Sequence, residues 1–239
     1  MKKLLCMLIP VLLLGMTAFA APSDWAVAEV EEAVLQGFVP AYFNENWQAN
    51  ITRAEFAEIA VHFLAAKLSY AEADFAHYVN SQPYKVNTYT NDTALFMIPR
   101  TESGTFTDTD SPYVWIAANI GIVTGRGNGI FDPDTGITRQ EAALMLLRTY
   151  AAYSYSLSFD AQLTFADAAE IAPWASLGVR FATKEKVMQG TSETTFSPLA
   201  SYTREQAVLT FLRLGQNTEW MQNPGFYRAY TPAGTIEGL

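Results

Sequence analysis

Three stretches of this chain repeat one another: Ile51-Thr52-Arg53-Ala54-Glu55, Ile137-Thr138-Arg139-Gln140-Glu141 and Tyr202-Thr203-Arg204-Glu205-Gln206. Self-similarity at this scale means that each copy is one small unit, which buries its apolar face only by packing on its neighbours. Each stretch reads Thr-x-x-Glu/Gln and opens an apolar run, the pattern of a capping box. The Thr hydroxyl accepts an orphan backbone N–H at the third helical position, and the Glu or Gln side chain reaches back to the cap. Counting from each Arg, offsets +3, +4, +7 and +8 are apolar in all three copies: Phe56, Ala57, Ala60 and Val61; Ala142, Ala143, Leu146 and Leu147; Ala207, Val208, Phe211 and Leu212. That is one helical stripe, three times over. The recurring alanines let helix backbones approach closely, so the three capped helices are expected to pack together.

A shorter helix is expected upstream of each capping box. Asp24-Trp25-Ala26 starts the first, Ser111-Pro112-Tyr113 the second and Pro173-Trp174-Ala175 the third. Proline fits the first helical position, where its missing N–H costs nothing. Copies two and three share a lead-in, Phe106-Thr107-Asp108 and Phe165-Ala166-Asp167. They also share a loop in which Gly125, Phe131, Pro133 and Arg139 match Gly190, Phe196, Pro198 and Arg204 at the same spacing. A Gly-opened turn followed by Phe-x-Pro reads as an ordered loop. Copy one diverges between Phe38 and Asn50, where Trp47 is expected to fill the phenylalanine's slot. A long segment separates copy one from copy two, so Arg53 to Arg139 is 86 residues against 65 from Arg139 to Arg204. Weak alternation over residues 84–90 and an apolar run over 94–98 allow a small β-hairpin there, turning near Asn91 and Asp92. The tail carries Trp220, Phe226, Tyr227 and Tyr230, suited either to cover the core or to meet a partner.

Residues 1–20 are expected to be a signal peptide. Lys2 and Lys3 precede an apolar run over 4–14, and Ala18-Phe19-Ala20 has the small-x-small form of a cleavage site. Export follows, and no later stretch is apolar over a bilayer's thickness. The single cysteine, Cys6, lies inside that segment, so the mature chain has no disulfide and no thiolate chemistry. Without the two lysines there are 13 basic and 24 acidic side chains, a net charge of −11. Non-specific nucleic-acid binding needs a basic face, and this charge excludes it as a role. No metal, cofactor or catalytic motif is evident. His62 and His77 form no His-Glu-x-x-His pair, and Asp108, Asp110, Asp132 and Asp134 lack calcium-loop spacing to Glu141, so turn formation accounts for them better.

Taken together, these motifs resemble the S-layer homology (SLH) family, through Gly121-Ile122-Val123-Thr124-Gly125, Phe131-Asp132-Pro133 and Thr52-Arg53-Ala54-Glu55-Phe56. The resemblance runs over about residues 23–68 and 105–215. It implies an all-α fold: three helix-loop-helix units in a pseudo-threefold bundle, without catalysis. The expected organisation is a signal peptide (1–20), repeat one (21–68), an insertion (69–104), repeat two (105–158), repeat three (159–215) and a tail (216–239). The resemblance further implies non-covalent attachment to a secondary cell-wall polysaccharide at a bacterial surface, often one bearing ketal-linked pyruvate. Grooves between adjacent units would bind it through Arg53, Arg139 and Arg204, with Asp24, Trp25, Tyr113 and Trp174 from the unit starts and Gly125 and Gly190 from the loops. Tyr113 stands where tryptophan is the family's residue. Two rivals belong to other classes: a surface-layer element that self-associates without glycan, and a wall hydrolase. The hydrolase would need a carboxylate pair, for which Asp74 and Glu102 in the insertion have no supporting motif.

An arginine at the first helical position sits against the helix dipole, at a cost of ~0.3–1 kcal/mol. Making that choice three times asks for a compensating partner. One reading is an anionic ligand met jointly by the guanidinium and free helix N–H groups. The other is an acidic side chain or loop carbonyls of the arginine's own unit, such as those around Asp108, Asp132 or Asp167.

Overall fold

The computed structural model of the protein describes residues 21–68, 106–152 and 161–218. The expected signal peptide, the hairpin and Trp220 onward in the tail lie outside the described residues. Among the described residues six α-helices alternate short and capped: α1 (Val27–Leu35), α2 (Arg53–Lys67), α3 (Pro112–Asn119), α4 (Arg139–Ala151), α5 (Ser176–Lys184) and α6 (Arg204–Asn217). Among the described residues there is no sheet, only isolated bridges. The fold is all-α, as the apolar spacing requires.

All three capping boxes form. Thr52, Thr138 and Thr203 accept the N3 backbone N–H, and Glu55, Glu141 and Gln206 accept the N–H of the cap. The twelve stripe residues are all fully buried. The capped helices α2, α4 and α6 pack on one another, and Phe211 meets Phe56 at 5.0 Å and Phe63 at 5.3 Å. The short helices lie outside them, α3 against α2, α5 against α4 and α1 against α6. Each capped helix is therefore covered by the first helix of the following unit, with the last unit covered by the first. That double covering is why these helices are buried beyond a single stripe.

The closure is cyclic at the backbone as well. The Ile51 N–H donates to Tyr202 O (2.8 Å), Tyr202 N–H to Ile137 O (3.1 Å) and Ile137 N–H to Ile51 O (3.2 Å). Around this ring each helix start is roofed by the next unit's loop. Arg53 and Ala54 donate to Thr135 O and Pro133 O, Arg139 and Gln140 to Ala200 O and Pro198 O, and Arg204 and Glu205 to Ala49 O and Trp47 O. With the N3 donor taken by the capping Thr, the first three orphan N–H groups of every capped helix are satisfied inside the protein. The expectation that free helix N–H groups await an anionic ligand is corrected here: the neighbouring loop has filled them.

Candidate functional site: the three junctions

The side chains repeat the same cyclic logic. Arg53 reaches across the junction between units one and two, where Nε donates to Phe131 O (2.9 Å) and Nη2 to Thr124 O (2.9 Å), its guanidinium 4.7 Å from the Phe131 ring. Arg139 does the same between units two and three. Its Nε donates to Phe196 O (2.9 Å) and Nη2 to Gln189 O (2.7 Å), and the Phe196 ring lies 5.0 Å away. Both arginines are buried. They tie to carbonyls of the following unit, where the sequence suggested carbonyls of their own. Burial pulls both guanidinium pKa values down, and for Arg53 nearby Arg126 adds to it; a guanidinium stays charged even so. Two of the five guanidinium donors are engaged by these carbonyls in each case.

Arg204 departs from the pattern. At the junction between units three and one its Nε donates to Glu55 Oε2 (3.4 Å) and its Nη2 forms a short ion pair with Glu55 Oε1, while Nη1 donates to Asn46 O (3.4 Å). The ring beneath it is Phe43, at 5.2 Å. Phe43 thus fills the slot of Phe131 and Phe196, and the expectation for Trp47 is corrected: Trp47 takes the place of Pro133 and Pro198, offering its carbonyl to α6. The shift has a physical origin at Gly125 and Gly190. A Cβ there would come within 2.8 Å of Ile130 O and 2.4 Å of Ser192 O respectively, so the tight loop requires glycine. Counted from the left-handed glycine that follows each short helix, Gly37 in copy one and Gly121 in copy two, Ala41 stands where copy two has Gly125, and copy one builds a 3-10 turn over Ala41–Glu45 instead. The two glycines thus shape the loop that presents the carbonyls of Thr124 and Gln189.

The unit starts dock by a second set of contacts. The Ala172 N–H donates to Gln140 Oε1 (2.9 Å), and the Ser23 N–H and hydroxyl donate to Glu205 (2.9 and 2.8 Å). Gln140 and Glu205 each follow the junction arginine. At the same place copy one has Ala54, which has no acceptor, and Ser111 caps its own helix by accepting the Val114 N–H (3.4 Å). Trp174 and Trp25, two residues beyond the docked N–H, are 54% and 60% exposed. Tyr113, their counterpart, is half-buried, its ring 4.9 Å from His62. Asp24 is exposed beside Trp25. The structure therefore brings Arg139, Gly190 and Trp174 to one junction, Arg204, Asp24 and Trp25 to a second, and Arg53, Gly125 and Tyr113 to a third, with the aromatic ring offered to solvent at the first two.

Asp108 and Asp167, which sequence placed in a lead-in and beside the arginines' candidate partners, fold the loops. Asp108 accepts from Phe131 and Asp132 N–H (2.9 and 2.7 Å), and Asp167 from Phe196 and Ser197 N–H (2.9 and 2.7 Å). The Phe131 and Asp132 donors hold the Asp108 carboxyl below its ordinary range. Partial burial pushes Asp167 up, but the Phe196 and Ser197 donors outweigh it and the net direction is down. A carboxyl whose folded pKa is depressed contributes stability above the unfolded value, about 3.9, and loses it as pH falls through the folded value. Thermal unfolding followed against pH should therefore be flat at neutral pH and fall below about pH 4. Asp108→Asn with Asp167→Asn should lower the neutral plateau and flatten that acid limb.

Among the described residues no group of three candidate ligands could hold a metal, and no helix is long and apolar enough to cross a membrane. The S-layer homology domain profile matches residues 105–143 and 164–208, the second and third units. An endoglucanase of Bacillus sp. (strain KSM-635) is 36% identical over 125 residues, covering 51% of this chain and 13% of that protein. A cellulosome-anchoring protein of Acetivibrio thermocellus is 32% identical over 88 residues, covering 36% of this chain and 20% of that protein. The chain thus spans at most a fifth of either relative's length. The first unit lies outside the profile's segments yet carries the same capping box, ring contacts and roofed helix start. Residues 105–143 and 164–208 are thus two S-layer homology domains.

Proposed function

We propose that this chain is a non-catalytic cell-envelope anchor, exported to a bacterial surface, which binds an anionic wall polysaccharide at the junctions between its units. The observation that carries this reading is the pair of indoles, Trp25 and Trp174. They sit at the same repeat position, each two residues from a docked backbone N–H, and both stay more than half exposed. An indole left in water forgoes burial worth on the order of 2 kcal/mol, and it offers a flat apolar face with an N–H at its edge, suited to a sugar ring. The arginine of the same junction supplies positive charge in a chain that is otherwise net negative. A ketal-linked pyruvate would offer that guanidinium a carboxylate. The anchoring relative supports the reading through its name. The endoglucanase bears that name as a protein of which this chain matches a small share, so its activity is not carried across.

Titration with solubilised wall polysaccharide, read by tryptophan fluorescence, tests the proposal. Trp174→Ala and Trp25→Ala should each leave the unfolding temperature within about 2 °C of wild type, because the rings are exposed. Trp174→Ala should weaken binding about tenfold. Unchanged affinity in both folded variants would contradict the proposed role of the indoles.

A further inference from the structure

The three junctions share a backbone plan but differ in charge, and the difference lies in the following unit's helix. At the junction of units three and one, Arg204 is paired with Glu55, the N3 residue of α2. Glu58, one turn further, accepts the Tyr42 hydroxyl (2.7 Å), and Tyr42 lies under the same guanidinium at 5.8 Å. One carboxylate thus pairs with this arginine, and a second holds the tyrosine beneath it. At the junction of units one and two, the N3 residue is Glu141, which acts on Arg53 and is shared with Arg126 (3.7 Å), itself bound to Asp132 (3.1 Å). Between units two and three the corresponding residues are neutral. Gln206 replaces the glutamate, and Thr191 and Ser197, hydrogen-bonded at 2.6 Å, stand where Arg126 and Asp132 pair. Leu209 stands where α2 has Glu58. Among the described residues no carboxylate forms an ion pair with Arg139. Asp167, which acts on it through space, is held by two backbone donors.

We infer that the N3 residue of each capped helix sets whether the preceding unit's arginine keeps an uncompensated positive charge for an anion to meet: Gln206 leaves Arg139, seated on its two carbonyls, without a carboxylate partner, Glu141 partly screens Arg53, and Glu55 occupies Arg204 from within. The inference rests on the proposed wall-polysaccharide reading and assigns the tight site to the Arg139–Gly190–Trp174 junction. Glu55 then acts as an internal stand-in for the ligand's carboxylate, and an anion reaching Arg204 must displace it. Gln206 and Glu55 are specificity-determining residues under this assignment. Both also serve capping boxes, which accept Glu or Gln equally.

The test exchanges residues that the repeats already use, so folding is preserved. Gln206→Glu restores the residue of units one and two, and Glu55→Gln that of unit three. Isothermal titration calorimetry with solubilised wall polysaccharide, at low salt, reads affinity and stoichiometry. Gln206→Glu should weaken binding about tenfold or more while the unfolding temperature stays level or rises, since an acidic group near a helix start is favourable. Glu55→Gln should keep the tight site and add a second. Wild-type binding that neither exchange alters would overturn this assignment and leave the anchor reading standing. Failure of the folded wild type to bind would remove both.

Discussion

Gly178→Ala is expected to destabilise the fold by about 3 kcal/mol, lowering the unfolding temperature by about 6–12 °C. In an open helix the same change would stabilise by roughly 1 kcal/mol, because glycine is the poorer helix former. The sign reverses because α5 lies directly on α4. A Cβ on Gly178 would stand 2.6 Å from the Leu144 N and Cα atoms and 2.8 Å from the Ala143 carbonyl carbon. All three are backbone atoms, so no rotamer change relieves the overlap and the helices must separate. Differential scanning calorimetry of the single variant settles it. A melting temperature equal to or above wild type would mean that α5 and α4 do not meet this closely.

Arg139→Ala is the second large effect, at about 2–4 kcal/mol. The change strands the Phe196 and Gln189 carbonyls, which lose charge-assisted donors, and removes a cation from over the Phe196 ring. Arg139→Lys should recover little, because one ammonium cannot span the two carbonyls that Nε and Nη2 reach together. Arg204→Ala should cost less, about 1 kcal/mol. Its partner Glu55 keeps the Thr52 N–H as a donor, and the pair lies nearer the surface. Urea denaturation of the three variants gives the ordering. Equal losses at Arg139 and Arg204 would contradict the distinction drawn between a junction tie and an internal ion pair.

The repeat, the capping boxes and the buried stripe were legible in the sequence because each is local. A Thr, a Glu three residues on and apolar offsets of three and four specify a helix and its inner face without reference to anything distant. The arginine's partner was not legible. A helix N-terminus has no local sign of which loop will roof it, and the answer is set by cyclic docking, in which unit one closes on unit three across Tyr202 and Ile51. Phe43 escaped for a different reason. With Ala41 in place of the loop glycine, copy one winds a 3-10 turn, so the ring beneath Arg204 comes from two positions earlier than the repeat register indicates. Gly178 carried no sequence signal, since a glycine in a helix is informative only once its neighbour's backbone is placed. At the junctions, the Glu-to-Gln change at position 206 was visible as a variant of the capping box. Its electrostatic meaning emerged from the Glu55–Arg204 pair.

Co-sedimentation of the protein with purified cell-wall sacculi, before and after the secondary polysaccharide is stripped from them, is the most direct test of the anchor reading. The expected result is retention on intact sacculi, loss on stripped ones, and reduced retention of folded Trp174→Ala and Gln206→Glu. Well-folded wild-type protein that stays in the supernatant with intact sacculi, or that pellets equally with stripped ones, would contradict it.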